Sequence, residues 1–261
     1  MHFTKMHGLG NDYLYVYGEP ENPEELSRKL SERHFGAGSD GMIWISKSDV
    51  ADFKMRIFNA DGSEAKMCGN GIRCVGKYVY DKGYTKKEHL TIETLAGIRT
   101  LDLNLTDGKV SSATVDMGVS KVSEDKTLTI DGNKITCTPV SVGNPHAVIF
   151  VDDINNAPLT TIGPKIEKNP EFKDGVNVEF VQVINKNTLR MRVWERGSGV
   201  TMACGTGACA TVAAAICKGY CSFNELVNVN LDGGTLNIKI SENNNITMTG
   251  PAETVYEGGT V

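Results

Sequence analysis

Residues 68–84 read CGNGIRCVGKYVYDKGY, and residues 204–220 read CGTGACATVAAAICKGY. Laid on one another at an offset of 136 positions, Cys68 falls on Cys204, Gly69 on Gly205, Gly71 on Gly207, and Lys82-Gly83-Tyr84 on Lys218-Gly219-Tyr220. The match runs outward in both directions. Met55-Arg56 falls on Met191-Arg192, and Leu90, Leu95 and Gly97 fall on Leu226, Leu231 and Gly233. Identity is roughly a quarter over some 40 residues, and self-similarity at a fixed offset is the mark of a duplicated structural unit. A second pair points the same way. Gly10-Asn11 precedes the apolar run YLYVY, and Gly143-Asn144 precedes AVIFV, at an offset of 133.

Local patterns obey the same duplication. Each copy offers an alternating strand (FKMRIFN; LRMRVWE), a glycine-rich loop and a helical segment, Gly69 to Lys82 and Gly205 to Lys218. Each helix closes on Lys-Gly, a cation in the last turn and a glycine suited to the left-handed cap. Short β-rich runs surround them (LTIETLAGIRTLDLNL, ATVDMGV, LNIKISENNNITMTG), and two further helices are predicted from Pro23 to His34 and from Pro158 to Lys168. The expectation is two similar halves built from both helix and strand, joined near Met117 to Asp125.

Composition narrows the function class. The 261 residues are 40% apolar and 23% charged, as in ordinary globular proteins. Lys and Arg number 27 against 32 Asp and Glu, a net charge of −5 without long runs of one sign, which argues against nucleic acid or an anionic membrane as a partner. The first residues lack the pattern of a secretion signal, no stretch approaches a membrane span, and a cytoplasmic protein is expected. Seven cysteines, an odd number, then make a disulfide framework a poor explanation and leave packing, metal or chemistry.

A thiol just before a helix meets the positive end of the helix dipole and unsatisfied backbone N–H groups, which favour the thiolate. The neighbouring glycines leave those N–H groups open to a carboxylate. Two such loops related by pseudo-symmetry suit a base and an acid on opposite faces of one carbon, whereas Cys74, Cys137, Cys209, Cys217 and Cys221 read as packing residues. Zinc is disfavoured because no CxxC pair or His cluster occurs. GAGSDG, residues 36–41, fits a dinucleotide fingerprint literally, but it follows a helix and precedes a strand, the reverse of the required order.

The stretches KMHGLGND, FNADGSEAKMCGNG, GNPH (143–146), Val176-Asn177 and WERGSGVTMACGTGAC resemble the diaminopimelate epimerase family along nearly the whole chain. The resemblance implies an α+β fold of two pseudo-symmetric halves, each a β-rich, barrel-like sheet wrapped around a central helix, with the active site in the cleft between them. The corresponding division is 1–117, completed by 251–261, and 118–250. It further implies an isomerase that needs no cofactor and no metal and interconverts LL- and meso-diaminopimelate, on the route to lysine and cell-wall precursors. Cys68 and Cys204 are then the acid/base pair, with Cys204 the thiolate base for the LL substrate and Cys68 the acid. His146 and Glu195 stand beside the thiols.

By the same resemblance Asn11, Asn59, Asn144, Asn177, Glu195 and Arg196 hold the substrate, and its reacting carboxylate rests on Gly69, Asn70, Gly205 and Thr206. Tyr256 matches a tyrosine associated with dimerisation, so a homodimer is expected. Gly41 departs from relatives that carry Gln there. Two rivals stand beside this reading. A proline or hydroxyproline racemase would share both thiols, though Arg196 would then face no second carboxylate; a thiol redox or binding protein would use the pair as a dithiol.

Overall fold

The computed structural model describes residues 1–19 and 21–260. The chain forms two compact units, Met1–Asp116 with Thr249–Val261, and Met117–Met248. Val261, the last residue of the expected 251–261 segment, lies outside the described residues. In chain order the first unit holds β1 (His2–Gly8), β2 (Asn11–Tyr17), α1 (Pro23–Ser31), β3 (Gly41–Ser46), β4 (Phe53–Asn59), β5 (Glu64–Ala65), α2 (Gly69–Asp81), β6 (His89–Thr94), β7 (Gly97–Thr106) and most of β8 (Lys109–Val119). The second holds β9 (Lys121–Val122), β10 (Lys126–Ile130), β11 (Asn133–Ser141), β12 (Pro145–Phe150), α3 (Leu159–Glu167), β13 (Asn177–Asn185), β14 (Thr188–Glu195), β15 (Gly199–Val200), α4 (Gly205–Cys217), β16 (Leu226–Leu231) and β17 (Gly234–Ile240). β18 (Asn245–Pro251) leads back to the first unit, which ends with β19 (Glu253–Gly259).

The architecture is α+β, and the duplication is complete at the level of strand pairing. In the first unit β1–β2 is antiparallel, β2–β3 parallel, β3–β4 antiparallel, β4–β6 parallel and β6–β7 antiparallel. The second repeats that series as β11–β12, β12–β13, β13–β14, β14–β16 and β16–β17. Register is conserved too. Tyr15 lies opposite Ile43 as Val148 lies opposite Glu179, and Gly41 opposite Asn59. The offsets of 133 and 136 therefore map Asn11 onto Asn144, Tyr13 onto His146, Gly41 onto Asn177, Ile43 onto Glu179 and Asn59 onto Glu195.

The inner strands are sandwiched between two helices, which is why they read as continuous apolar runs rather than clean alternations. From β2 and β3, Leu14, Val16, Met42 and Trp44 pack with Leu30 of α1, while Tyr15 on the opposite face reaches Gly71 O in α2 at 3.4 Å. In the second unit Ala147, Ile149, Val178 and Phe180 pack with Leu159 and Ile166 of α3. Strands surround α4, which touches β9, β11, β12, β13, β14, β16 and β17. Its sequence ACATVAAA is small and apolar all round and is buried throughout, as a helix without a polar stripe must be. Each fully buried aliphatic side chain in such a core contributes about 1.5–3 kcal/mol relative to exposure.

Residues 36–40 of GAGSDG form a loop between α1 and β3, and its last glycine, Gly41, opens β3. Among the described residues, no helix is long and apolar enough to cross a membrane. Cys74, Cys137, Cys209 and Cys221 are buried, whereas Cys217 is exposed at the end of α4, so the packing expectation does not hold for it. Burial pushes the thiols of Cys74 and Cys137 up to about 11, which makes them poor nucleophiles at neutral pH.

Candidate active site

Each repeated cysteine is the N-cap of the central helix of its unit. Cys68 Sγ accepts the backbone N–H of Gly71 at 3.3 Å, and Cys204 Sγ accepts that of Gly207 at 3.4 Å. Sulfur thus occupies the place where a serine or aspartate oxygen usually caps a helix. Space at the two following glycines is tight. A Cβ on Gly71 would lie 2.6 Å from Ile43 Cδ1, and one on Gly207 would lie 2.8 Å from Glu179 Oε1. Gly69, Asn70, Gly205 and Thr206 form the first turns of α2 and α4, where the positive ends of the helix dipoles lie.

Around Cys68, the thiol donates to Asn11 Oδ1 at 3.4 Å, and Asn70 Nδ2 donates to the same oxygen at 3.4 Å. Asn11 is oriented from behind, because its Nδ2 donates to Asp40 Oδ2 at 2.8 Å. Arg33 binds the other Asp40 oxygen at 3.0 Å, while burial pushes the Asp40 carboxyl above its ordinary value. Arg73, fully buried on α2, donates to Gly69 O, Asn70 Oδ1 and Pro251 O, so the returning C-terminal segment braces the Cys68 loop. Tyr13 packs beside this thiol, and burial first, then the neighbouring Cys68, keeps its phenol protonated.

The surroundings of Cys204 differ although the backbone is the same. Thr206 Oγ1 lies 3.6 Å from Cys204 Sγ and accepts from Asn144 Nδ2 at 3.2 Å. Asn144 Oδ1 faces His146 Nε2 at 3.0 Å, and His146 Nδ1 faces Glu179 Oε1 at 2.7 Å. Glu195 accepts from Thr201 Oγ1 at 2.5 Å and sits beside the thiol. Burial raises the Glu195 carboxyl, against the hydrogen bonds from Thr201 and Cys204. Burial likewise holds the proton on Cys204, helped by the neighbouring Glu195 and opposed by the hydrogen bonds with Thr206 and Gly207.

The remaining expected residues occupy defined places. Asn177 is buried with both amide ends engaged, Nδ2 donating to Pro145 O at 3.0 Å and Oδ1 accepting Arg196 N at 2.9 Å. Arg196 is exposed, with Nη1 donating to Asp174 O at 2.8 Å. Asn59 Nδ2 donates to Ser63 Oγ at 3.1 Å. Tyr256 lies on β19, edge-on to Phe3, with its hydroxyl donating to Ala37 O at 3.2 Å. At Gly41 a Cβ would lie 2.1 Å from Phe58 O, so this backbone admits no side chain at the position. Among the described residues no group of three His, Cys, Asp or Glu is arranged to hold a metal ion.

Sequence reasoning missed Tyr13, Asp40, Thr201 and Glu179. The internal repeat carried a usable signal for two of them, since Tyr13 is the counterpart of His146 and Glu179 interrupts an apolar strand where its counterpart is Ile43.

Comparison with known proteins bears on the whole chain. A sequence profile described as diaminopimelate epimerase matches residues 3–122 and 138–255. A diaminopimelate epimerase of Acetivibrio thermocellus is 53% identical, covering 99% of this chain and 98% of its own. One of Bacillus subtilis is 48% identical over 98% of this chain and 97% of its own. Among solved structures, a probable proline racemase of Agrobacterium radiobacter superposes with a TM-score of 0.79 at 17% identity, covering 100% of this chain and 92% of its own. A phenazine biosynthesis protein of the PhzF family from Bacillus anthracis gives 0.80 at 17% identity, covering 100% and 99%. These two show the shared fold.

Proposed function

The chain belongs to the diaminopimelate epimerase family and is an isomerase acting on diaminopimelate, and we propose that it inverts one α-carbon with two thiols and no cofactor. One observation carries the proposal: both repeated cysteines cap a helix N-terminus with the sulfur on a backbone N–H, at 3.3 and 3.4 Å. Inversion requires a proton to leave one face of the carbon and another to arrive on the opposite face, and two thiols can exchange these tasks with direction. For the LL substrate Cys204 is the base and Cys68 the acid; for the meso substrate the roles reverse. Because the two titrations are coupled, their proton inventory belongs to the pair.

Burial keeps Cys204 protonated in the resting protein, so its thiolate forms by handing the proton to a neighbour. Glu195 is that neighbour, since it sits beside the thiol and burial raises its pKa, which suits it to hold a proton. The reacting carboxylate rests on the N–H groups of Gly69, Asn70, Gly205 and Thr206, and the same helix ends stabilise the negative charge that develops on the carbon. Asn11, Asn59, Asn144 and Arg196 hold the remaining polar groups of the substrate. Asn177 contributes by pinning the main chain at Arg196, and His146 by orienting Asn144.

The family's activity places the reaction in lysine biosynthesis. Working thiols fit a reducing, cytoplasmic compartment. A homodimer is proposed through β19, where Val255 and Tyr256 are exposed. The direct test of function is proton NMR of LL-diaminopimelate with the purified, reduced protein and no added cofactor. Appearance of the meso isomer supports the reading, and an unchanged spectrum with folded, reduced protein contradicts it.

A further inference from the structure

The two thiols sit in the same backbone but in hydrogen-bond networks of opposite polarity, and the origin of the difference is a residue with no assigned part in the reaction. At Cys68 the asparagine turns its oxygen toward the sulfur, because Asp40 claims its nitrogen. At Cys204 the counterpart Asn144 turns its nitrogen toward Thr206, and Thr206 Oγ1, having accepted there, has its own hydrogen to give to Cys204 Sγ. One network accepts from a thiol; the other donates to a thiolate.

What orients Asn144 is the chain behind it. Its Oδ1 is an acceptor only, so His146 Nε2 at 3.0 Å carries a proton. The contact between His146 Nδ1 and Glu179 Oε1, at 2.7 Å, then needs one proton of its own, on the imidazole or on the carboxyl. A carboxylate facing a bare ring nitrogen would be repulsive. Both side chains are fully buried, and Glu179 Oε2 has no hydrogen-bond partner among the described residues. A buried oxygen left without partners is costly, far more so if it bears charge. Geometry and burial together favour a Glu179–His146 pair that holds one shared proton and is neutral as a whole.

We propose that Glu179 is a positioning residue that, through this shared proton, fixes His146, Asn144 and Thr206 so that a hydroxyl proton is aimed at Cys204 and its thiolate is stabilised. The inference rests on the two-thiol reading only for its catalytic consequence. The titratable groups facing Glu179 are His146 on β12, Glu195 on β14 and Cys204 at the start of α4. In the first unit the matching position is Ile43 and the His146 counterpart is Tyr13, so the device exists on one side only. Losing the shared proton would let His146 Nε2 become an acceptor, Asn144 turn, and Thr206 give its hydrogen to Asn144 instead of to sulfur.

The sign of one measurement separates this role from that of a bare negative charge. The alkylation rate of Cys204 by iodoacetamide, read by peptide mapping against pH without substrate, reports its thiolate. With a neutral positioning residue, Glu179→Leu lowers the rate at pH 7 by roughly tenfold. Glu179→Gln, whose amide can donate to His146 Nδ1 as the shared proton does, keeps it within about threefold of the parent protein. A rate that rises in either variant, one that is unchanged in folded Glu179→Leu protein, or an equal loss in both variants overturns the proposal. If Glu179→Leu does not fold, nitrogen-15 NMR of His146 in the unaltered protein decides, assigned with a His146→Gln variant. Protonated Nε2 supports the proposal and a bare Nε2 overturns it. None of these readouts needs turnover, so failure here and failure of the epimerase mechanism are distinguishable.

Discussion

Asn11 accepts from the thiol of Cys68 across 3.4 Å, and it does so because Asp40 holds the other end of the amide. Replacing Asp40 by Ala frees Asn11 to turn its nitrogen toward the sulfur, which no longer favours the thiol form. We expect kcat for LL-diaminopimelate to fall about tenfold, the order of one charged hydrogen bond, with a smaller change in KM. Steady-state kinetics check this; an unchanged kcat contradicts the orienting role.

Serine in place of either cysteine separates folding from chemistry. Serine is among the best helix N-caps, so Cys68→Ser and Cys204→Ser should unfold within about 1 kcal/mol of the parent protein. Their turnover should nevertheless fall by at least about a thousandfold, because an alcohol is a far weaker acid than a thiol and cannot share the proton work. Thermal unfolding and the epimerisation assay, run on the same samples, test both halves of the statement.

Glu195 should be tolerated by the fold at a cost that depends on pH. Burial raises its carboxyl above the ordinary value of 4.5, so the folded state keeps the proton after the unfolded state has lost it. Stability from this residue is therefore complete below 4.5 and declines as pH rises through the folded value. Glu195→Gln removes that decline. The variant should gain melting temperature over the parent protein as pH is raised from 4.5 to 8, while losing activity. A difference that is constant with pH contradicts the assignment.

The repeat was legible because chemistry and local structure coincide in it. Cys-Gly-x-Gly followed by Lys-Gly fixes both ends of α2 and α4, and FKMRIFN is β4 residue for residue. Glu179 was legible only through the repeat, which sets it where the first unit has Ile43; within NVEFVQVIN alone a single acid fits a solvent-facing position, and the structure shows it to be fully buried. Asp40 escaped for the opposite reason. It stands in a glycine-rich loop where an aspartate is ordinarily a turn residue, and its bond to Asn11 spans 29 positions. Cys217 read as core because most cysteines are, but it stands at the exposed end of its helix.

Tyr256 carries the assembly proposal. Its ring lies on β19 beside exposed Val255, with the hydroxyl on Ala37 O. If β19 forms the contact between copies, Tyr256→Ala should shift the mass measured by light scattering from dimer toward monomer at micromolar concentration. A monomeric parent protein, or a variant of unchanged mass, contradicts this.

The central claim, two thiols acting on opposite faces, is tested most directly by a single turnover of α-protiated LL-diaminopimelate in D2O. A thiol that has taken the α-proton can only return it to the face it came from, so the meso product should carry deuterium at the inverted carbon while unreacted LL substrate stays protiated. Meso product that retains the original α-proton would show one group serving both faces and would contradict the two-thiol account.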